Sequence, residues 1–182
     1  MDWVPFAVFI FFSFIELLLL KEFIKRKYKI AIKSAITSIA FWTFVFIASY
    51  LYNLVMPVAA YILVIIALFL DSYLGYYRNL YCTSRKYDRV QHGIGSFSFA
   101  IFFYFFFSNI FSYGGSRSFR AFYILILGVF YGTIYEIIEF ISDLKNKNGE
   151  KMQRGLRDTD FDMVSDVIGS LSAAIFSYFV FL

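Results

Sequence analysis

Six apolar stretches of about 20 residues, separated by short polar loops, leave this chain little choice of architecture. They lie near residues 3–20, 34–52, 55–74, 90–112, 119–141 and 161–181, and each is long enough to cross a bilayer as a helix. With 60% hydrophobic and 24% aromatic residues and a mean hydropathy of +0.68, the chain is too apolar for a soluble domain of its size. The expected fold is all-α: a polytopic membrane helix bundle of about six transmembrane helices. Apart from the amino terminus no positive charge precedes the first stretch, and no small-residue cleavage site follows it. It therefore reads as a retained helix, not a signal peptide, with the mature chain expected to start near Met1.

Lys and Arg concentrate in cytoplasmic loops. The first loop carries Lys21, Lys25, Arg26, Lys27, Lys29 and Lys33, the third Arg78, Arg85, Lys86 and Arg89, and the fifth Lys145, Lys147, Lys151, Arg154 and Arg157. That places fifteen of the 17 basic residues on one side and leaves Arg117 and Arg120 for the other. The bias puts both termini outside and the odd loops in the cytoplasm of a multi-pass cell-membrane protein. The net charge of +4 is spread over these loops without a nucleic-acid-binding motif, so the expected partner is the anionic inner leaflet. Cys82 is the only cysteine, which rules out an intramolecular disulfide. Without repeats or long linkers, residues 1–182 read as a single transmembrane domain. Pro5 and Pro57 fall near helix starts, where a missing donor is tolerated. The polar stretch from Leu144 to Arg157, with Asn146, Asn148, Gly149 and Gly155, reads as a mobile cover.

The acids are the unusual element. Asp88 and His92 are four residues apart at the start of the fourth helix, and Ser96 and Ala100 continue their face. Gly128, Gly132 and Glu136 form a stripe in the fifth helix that should face other helices, with Tyr135 adjacent and Glu139 one turn further out. Asp158, Asp162 and Asp166 are in register at the start of the sixth, followed by Gly169 and Ala173. Each signal has a structural alternative. Asp88 with Gln91 has the form of a capping box, Asp158 and Asp160 suit a helix N-terminus, and Glu136 could clamp a neighbouring helix. The three helix ends nevertheless share the expected cytoplasmic leaflet, with Glu16 and Asp71 at the same level. So many carboxylates require a cation, shared protons or pairing with Arg89, Arg154 or Arg157. Asp88, Glu136, Asp162 and Asp166 are the candidate metal ligands, with His92 a further ligand or, like Glu139, a carrier of protons. An oxygen-rich set with one imidazole suits Mg²⁺ or Mn²⁺ best and Zn²⁺ second. The run Phe102 to Phe107 circles its helix and reads as packing.

At these residues the chain resembles the YjdF-like family of small inner-membrane proteins, itself similar to the VanZ-like family named for teicoplanin resistance. The resemblance rests on Tyr87-Asp88 with His92, Tyr135-Glu136 with Glu139, and Asp158-Thr159 with Asp162-Met163 and Gly169, within about residues 85–180. It implies a fold and a site more than a reaction, and adds Tyr87, Tyr135, Asp158 and Thr159 to the arginines as residues expected to meet a substrate. The chain departs from the family pattern at Gln153-Arg154-Gly155-Leu156-Arg157, where a Gly-Asp and an aromatic residue are expected, and at Asp166, which replaces an apolar residue.

Three functions fit. The first is a divalent-metal-dependent enzyme acting on a lipid or lipid-linked phosphate at the cytoplasmic leaflet. The second is a noncatalytic scaffold or lipid-binding protein whose acids clamp helices. The third is a proton- or ion-coupled transporter, against which stands the confinement of the acids to one leaflet.

Overall fold

A computed structural model describes residues 3–84, 86–111, 114–145 and 151–182, with the side chains of Val4 and Pro5 excepted. Arg85, Lys147 and the Asn146, Asn148 and Gly149 of the expected cover lie outside the described residues. The helices are α1 (Val4–Lys25), α2 (Lys29–Tyr52), α3 (Val58–Phe69), the short α4 (Leu80–Thr83), α5 (Tyr87–Ile110), α6 (Arg117–Lys145) and α7 (Leu156–Val180). A π-helical stretch, Leu70–Tyr77, prolongs α3, and no strand occurs among the described residues.

This is a polytopic helical membrane protein. Among the described residues, five helices are long and apolar enough to cross a bilayer: Lys29–Tyr52, Val58–Tyr77, Tyr87–Ile110, Arg117–Lys145 and Leu156–Val180. The expected first crossing is covered by α1, which runs on past it through Lys21, Glu22 and Lys25. Large apolar side chains such as Phe44, Ile138 and Phe179 are exposed, as suits helices bathed in lipid, where a backbone must satisfy its own hydrogen bonds. Most helices overrun the apolar stretches. The sixth begins at Leu156, not near 161, and the fifth ends at Lys145, not near 141, because hydropathy marks the hydrocarbon-facing part and not the polar turns beyond it.

The chain divides into two compact units. The first comprises Met1–Tyr87 with Phe105–Ser112. In it α1 and α2 form an antiparallel hairpin, turned at Lys27 with a positive φ of 56°, and packed through Phe9 on Phe46 and Phe12 on Trp42. Leu19, Phe23, Ala31, Ala35 and Tyr76 make its core near the turn. Along this segment Phe69, Tyr73 and Tyr77 stack in nearly parallel planes, with the Arg26 guanidinium 4.4 Å over the last ring. On the same stretch Asp71 accepts hydrogen bonds from Ser34 (2.7 Å) and Tyr81 (2.5 Å), and Ser72 donates to the fully buried Glu16 at 3.1 Å. A side chain at Gly75 would collide with the Tyr81 ring.

The second unit comprises Asp88–Tyr104 and Tyr113–Leu182. Here α6 and the first part of α5 approach α7 closely because small residues line the seams. A Cβ on Gly132 would strike the Asp166 side chain, and one on Gly169 the backbone carbonyl of Gly93. These seams carry the acids inward.

Candidate functional site

The candidate site lies wholly within the second unit. From α5 come Asp88 and His92, from α6 Glu136 and Glu139, and from α7 Asp158, Asp162 and Asp166. All but the half-buried Asp158 are less than a tenth exposed. Glu136 lies nine residues before the end of α6 at Lys145, about 13 Å along the helix at 1.5 Å per residue.

His92 is the hub. Its Nδ1 lies 3.2 and 3.3 Å from the two carboxylate oxygens of Asp166. This pairing suits a proton on Nδ1 shared with Asp166 and turns Nε2 the other way. On that side stand Glu136 Oε1 at 3.6 Å and Asp88 Oδ1 at 3.9 Å, too far for hydrogen bonds. The Tyr135 ring meets the imidazole edge-on at 5.4 Å.

Two acids are each held through one oxygen by a group from the segment before α7. Gln153 Nε2 donates to Glu136 Oε2 at 2.7 Å and to the Glu136 carbonyl at 3.2 Å. The Arg154 backbone N–H donates to Asp158 Oδ2 at 3.2 Å. By contrast, His92 Nε2, Glu136 Oε1 and Asp162 Oδ1 are buried and make no hydrogen bond. Leaving such atoms unpaired in a low-dielectric interior is costly.

Those three atoms belong to residues that can hold an ion. Among the described residues, three trios each bring one donor atom per residue within 4.8 Å of the others: His92, Glu136 and Asp162; Asp88, His92 and Glu139; and Asp88, Asp158 and Asp162. An ion with ligands at about 2.1 Å sets its donors roughly 3 to 4 Å apart, so only small closure is needed. Among the described residues the basic side chain within 4 Å of these carboxylates is in each case His92, charged only when protonated.

The structure thus gathers Asp88, His92, Glu136, Glu139, Asp158 and Asp162, but uses other expected residues differently. Asp166, a candidate ligand, spends its oxygens on His92 and on Ser96 Oγ (2.6 Å), and is in none of the trios. It orients the histidine. Tyr87 belongs to the first unit, where its hydroxyl donates to the Leu70 carbonyl at 2.7 Å. The guanidinium groups of Arg89 and Arg157 lie 4.3 and 5.6 Å from the centre of the Phe161 ring, Arg154 is exposed, and Thr159 is half-buried in the first turn of α7.

Two contributors are absent from the sequence reading of the site. Gln153 is visible there only as a departure from the family pattern, and its partner could not be read from spacing. Asp143 accepts the backbone N–H groups of Met152 (2.9 Å) and Gln153 (3.0 Å), while Lys151 Nζ donates to its carbonyl. An acid near the C-terminal end of a helix opposes the macrodipole, and that is the signal that marks Asp143 as having another task.

Fold and site together define a polytopic helical membrane protein with a buried cluster of acids around one imidazole. The chain belongs to the family described as predicted membrane protein (DUF2238), whose model matches residues 6–182, in keeping with the YjdF-like resemblance. It is similar to an uncharacterised protein of Thermotoga maritima, 31% identical over 112 residues that make up 62% of this chain. The match spans 58% of that relative's length. No solved structure matches the chain.

Proposed function

We propose that the protein is a divalent-metal-dependent enzyme acting on the phosphate of a lipid or lipid-linked substrate at the cytoplasmic face of the cell membrane. The observation that carries this reading is the trio of His92, Glu136 and Asp162, whose ligand atoms lie within 4.8 Å of one another and each of which has a buried atom without a hydrogen bond. A hard divalent cation satisfies all three, with Mg²⁺ or Mn²⁺ preferred over Zn²⁺. The ion would polarise a phosphoryl oxygen and stabilise charge in the transition state. With His92 occupied as a ligand, Glu139, beside Asp88 and His92, is the group that takes the proton of an attacking water or hydroxyl. Arg89, Arg154 and Arg157 would hold the anionic head group. The inward orientation of the basic loops and the kinship with VanZ-like proteins belong to the same proposal.

The clamp reading is the second one, and one specific arrangement favours it. Asp166 accepts from Ser96 and pairs with His92, and so ties α5 to α7 through hydrogen bonds alone.

Thermal stability of the purified protein in nanodiscs, followed during titration with Mg²⁺, Mn²⁺ and Zn²⁺, separates the two. The metal reading expects a saturable, ion-selective stabilisation that disappears in Glu136→Gln and Asp162→Asn, after which lipid phosphates are screened for turnover. No ion-specific response, with both variants merely less stable, would leave only the clamp.

A further inference from the structure

We infer that the site holds two divalent cations, not one, with Asp162 as the carboxylate shared between them; the inference rests on the metal reading proposed above. The first position is that of His92, Glu136 and Asp162, and the second that of Asp88, Asp158 and Asp162. Their common member is the residue whose Oδ1 is buried without a hydrogen bond, and a carboxylate has two oxygens with which to bridge.

Charge argues for the second ion. Asp88, Glu136, Glu139, Asp158, Asp162 and Asp166 share one imidazole, and among the described residues the close contacts of Asp88, Glu136 and Asp166 with a basic side chain are with that imidazole. A divalent ion at the first position offsets at most two carboxylate charges and lies among the ligands of only one of the two trios that share Asp162. A second, sharing Asp162, relieves the repulsion that remains between Asp88 and Asp158.

Preorganisation argues for it as well. Ligands of metal sites are held by hydrogen bonds from behind, and both positions show this. His92 is held by Asp166 and Glu136 by Gln153 at the first, and Asp158 by the Arg154 N–H at the second. Each hydrogen bond to an acid engages one oxygen and leaves the other for an ion. Paired ions about 3.5 to 4 Å apart clamp the attacking and leaving oxygens of a phosphoryl transfer, so the substrate class narrows to phosphate esters or diphosphates whose phosphorus can sit between them.

The test is Mn²⁺ stoichiometry and electron paramagnetic resonance on the full chain in detergent. Two Mn²⁺ per chain with an exchange-coupled spectrum are expected. Asp158→Asn should fall to one ion per chain with an uncoupled six-line spectrum, Asp158→Glu should restore the second ion, and Asp162→Asn should lose both. Comparable helicity and monodispersity among the variants, checked in parallel, exclude misfolding as the cause. One uncoupled ion in the unaltered protein would overturn the two-ion inference and leave the proposed function standing. No bound Mn²⁺ would overturn both.

Discussion

Gln153 donates its amide to Glu136 Oε2 at 2.7 Å, from the segment just before α7 to the last third of α6. This bond fixes which oxygen of Glu136 faces His92. Gln153→Ala should weaken Mn²⁺ binding by about 10- to 100-fold, the usual cost of removing a group that orients a ligand. The folded state should lose only about 1 kcal/mol for the lost hydrogen bond. Isothermal titration beside a thermal scan checks the split, and equal loss in both would assign Gln153 to folding alone.

The glycine seams give a prediction about packing. Gly169→Ala drives a methyl group into the carbonyl of Gly93, which is backbone and cannot turn aside, whereas Gly132→Ala meets the Asp166 side chain. Overpacking costs about 1 to 3 kcal/mol. We expect Gly169→Ala to lower the thermal midpoint in detergent more than Gly132→Ala, and Gly132→Ala to impair metal binding more, since it displaces the carboxylate that orients His92.

Glu16 offers an independent check on the first unit. Ser72→Ala removes the hydroxyl that serves its Oε2 and leaves a fully buried carboxylate without that donor. A loss of roughly 1 to 3 kcal/mol is expected. Glu16→Gln in the Ser72→Ala background should recover part of it, because an amide is neutral; a denaturation series of the single and double variants would show no recovery if Glu16 is insensitive to its charge.

Topology is testable with cysteines in a Cys82→Ser background. Ser116→Cys, near Arg117 and Arg120, should react with a membrane-impermeant maleimide in intact cells. Lys27→Cys, in the first basic loop, should react only after permeabilisation. The reverse pattern would move the acid cluster to the outer leaflet and remove cytoplasmic substrates from consideration.

The site was largely legible from spacing because helices convert intervals of four into faces. Gly128, Gly132 and Glu136 do line one buried stripe, and Asp162, Asp166 and Gly169 another. What spacing could not supply was a partner outside the helices. Gln153 and the Asp143 contacts depend on how a loop returns, and no periodicity encodes that. The distinct part of Asp166 was equally hidden, since Asp162 and Asp166 look alike in sequence and differ only in what stands opposite them. The π-helical stretch from Leu70 escaped because a shift from i→i+4 to i→i+5 bonding leaves the apolar pattern nearly unchanged. Tyr87, adjacent to Asp88 in sequence, has a hydroxyl that donates to the Leu70 carbonyl, a bond that the motif does not announce.

Asp143 grips the backbone of Met152 and Gln153 just ahead of α7. The two ends of the connection are therefore joined at its neck, and the placing of Gln153 against Glu136 does not depend on the chain length in between. Asp143, though outside the acid cluster, thus holds in place the backbone from which Gln153 reaches Glu136, so that one wall of the cluster is tethered from beyond the end of its own face.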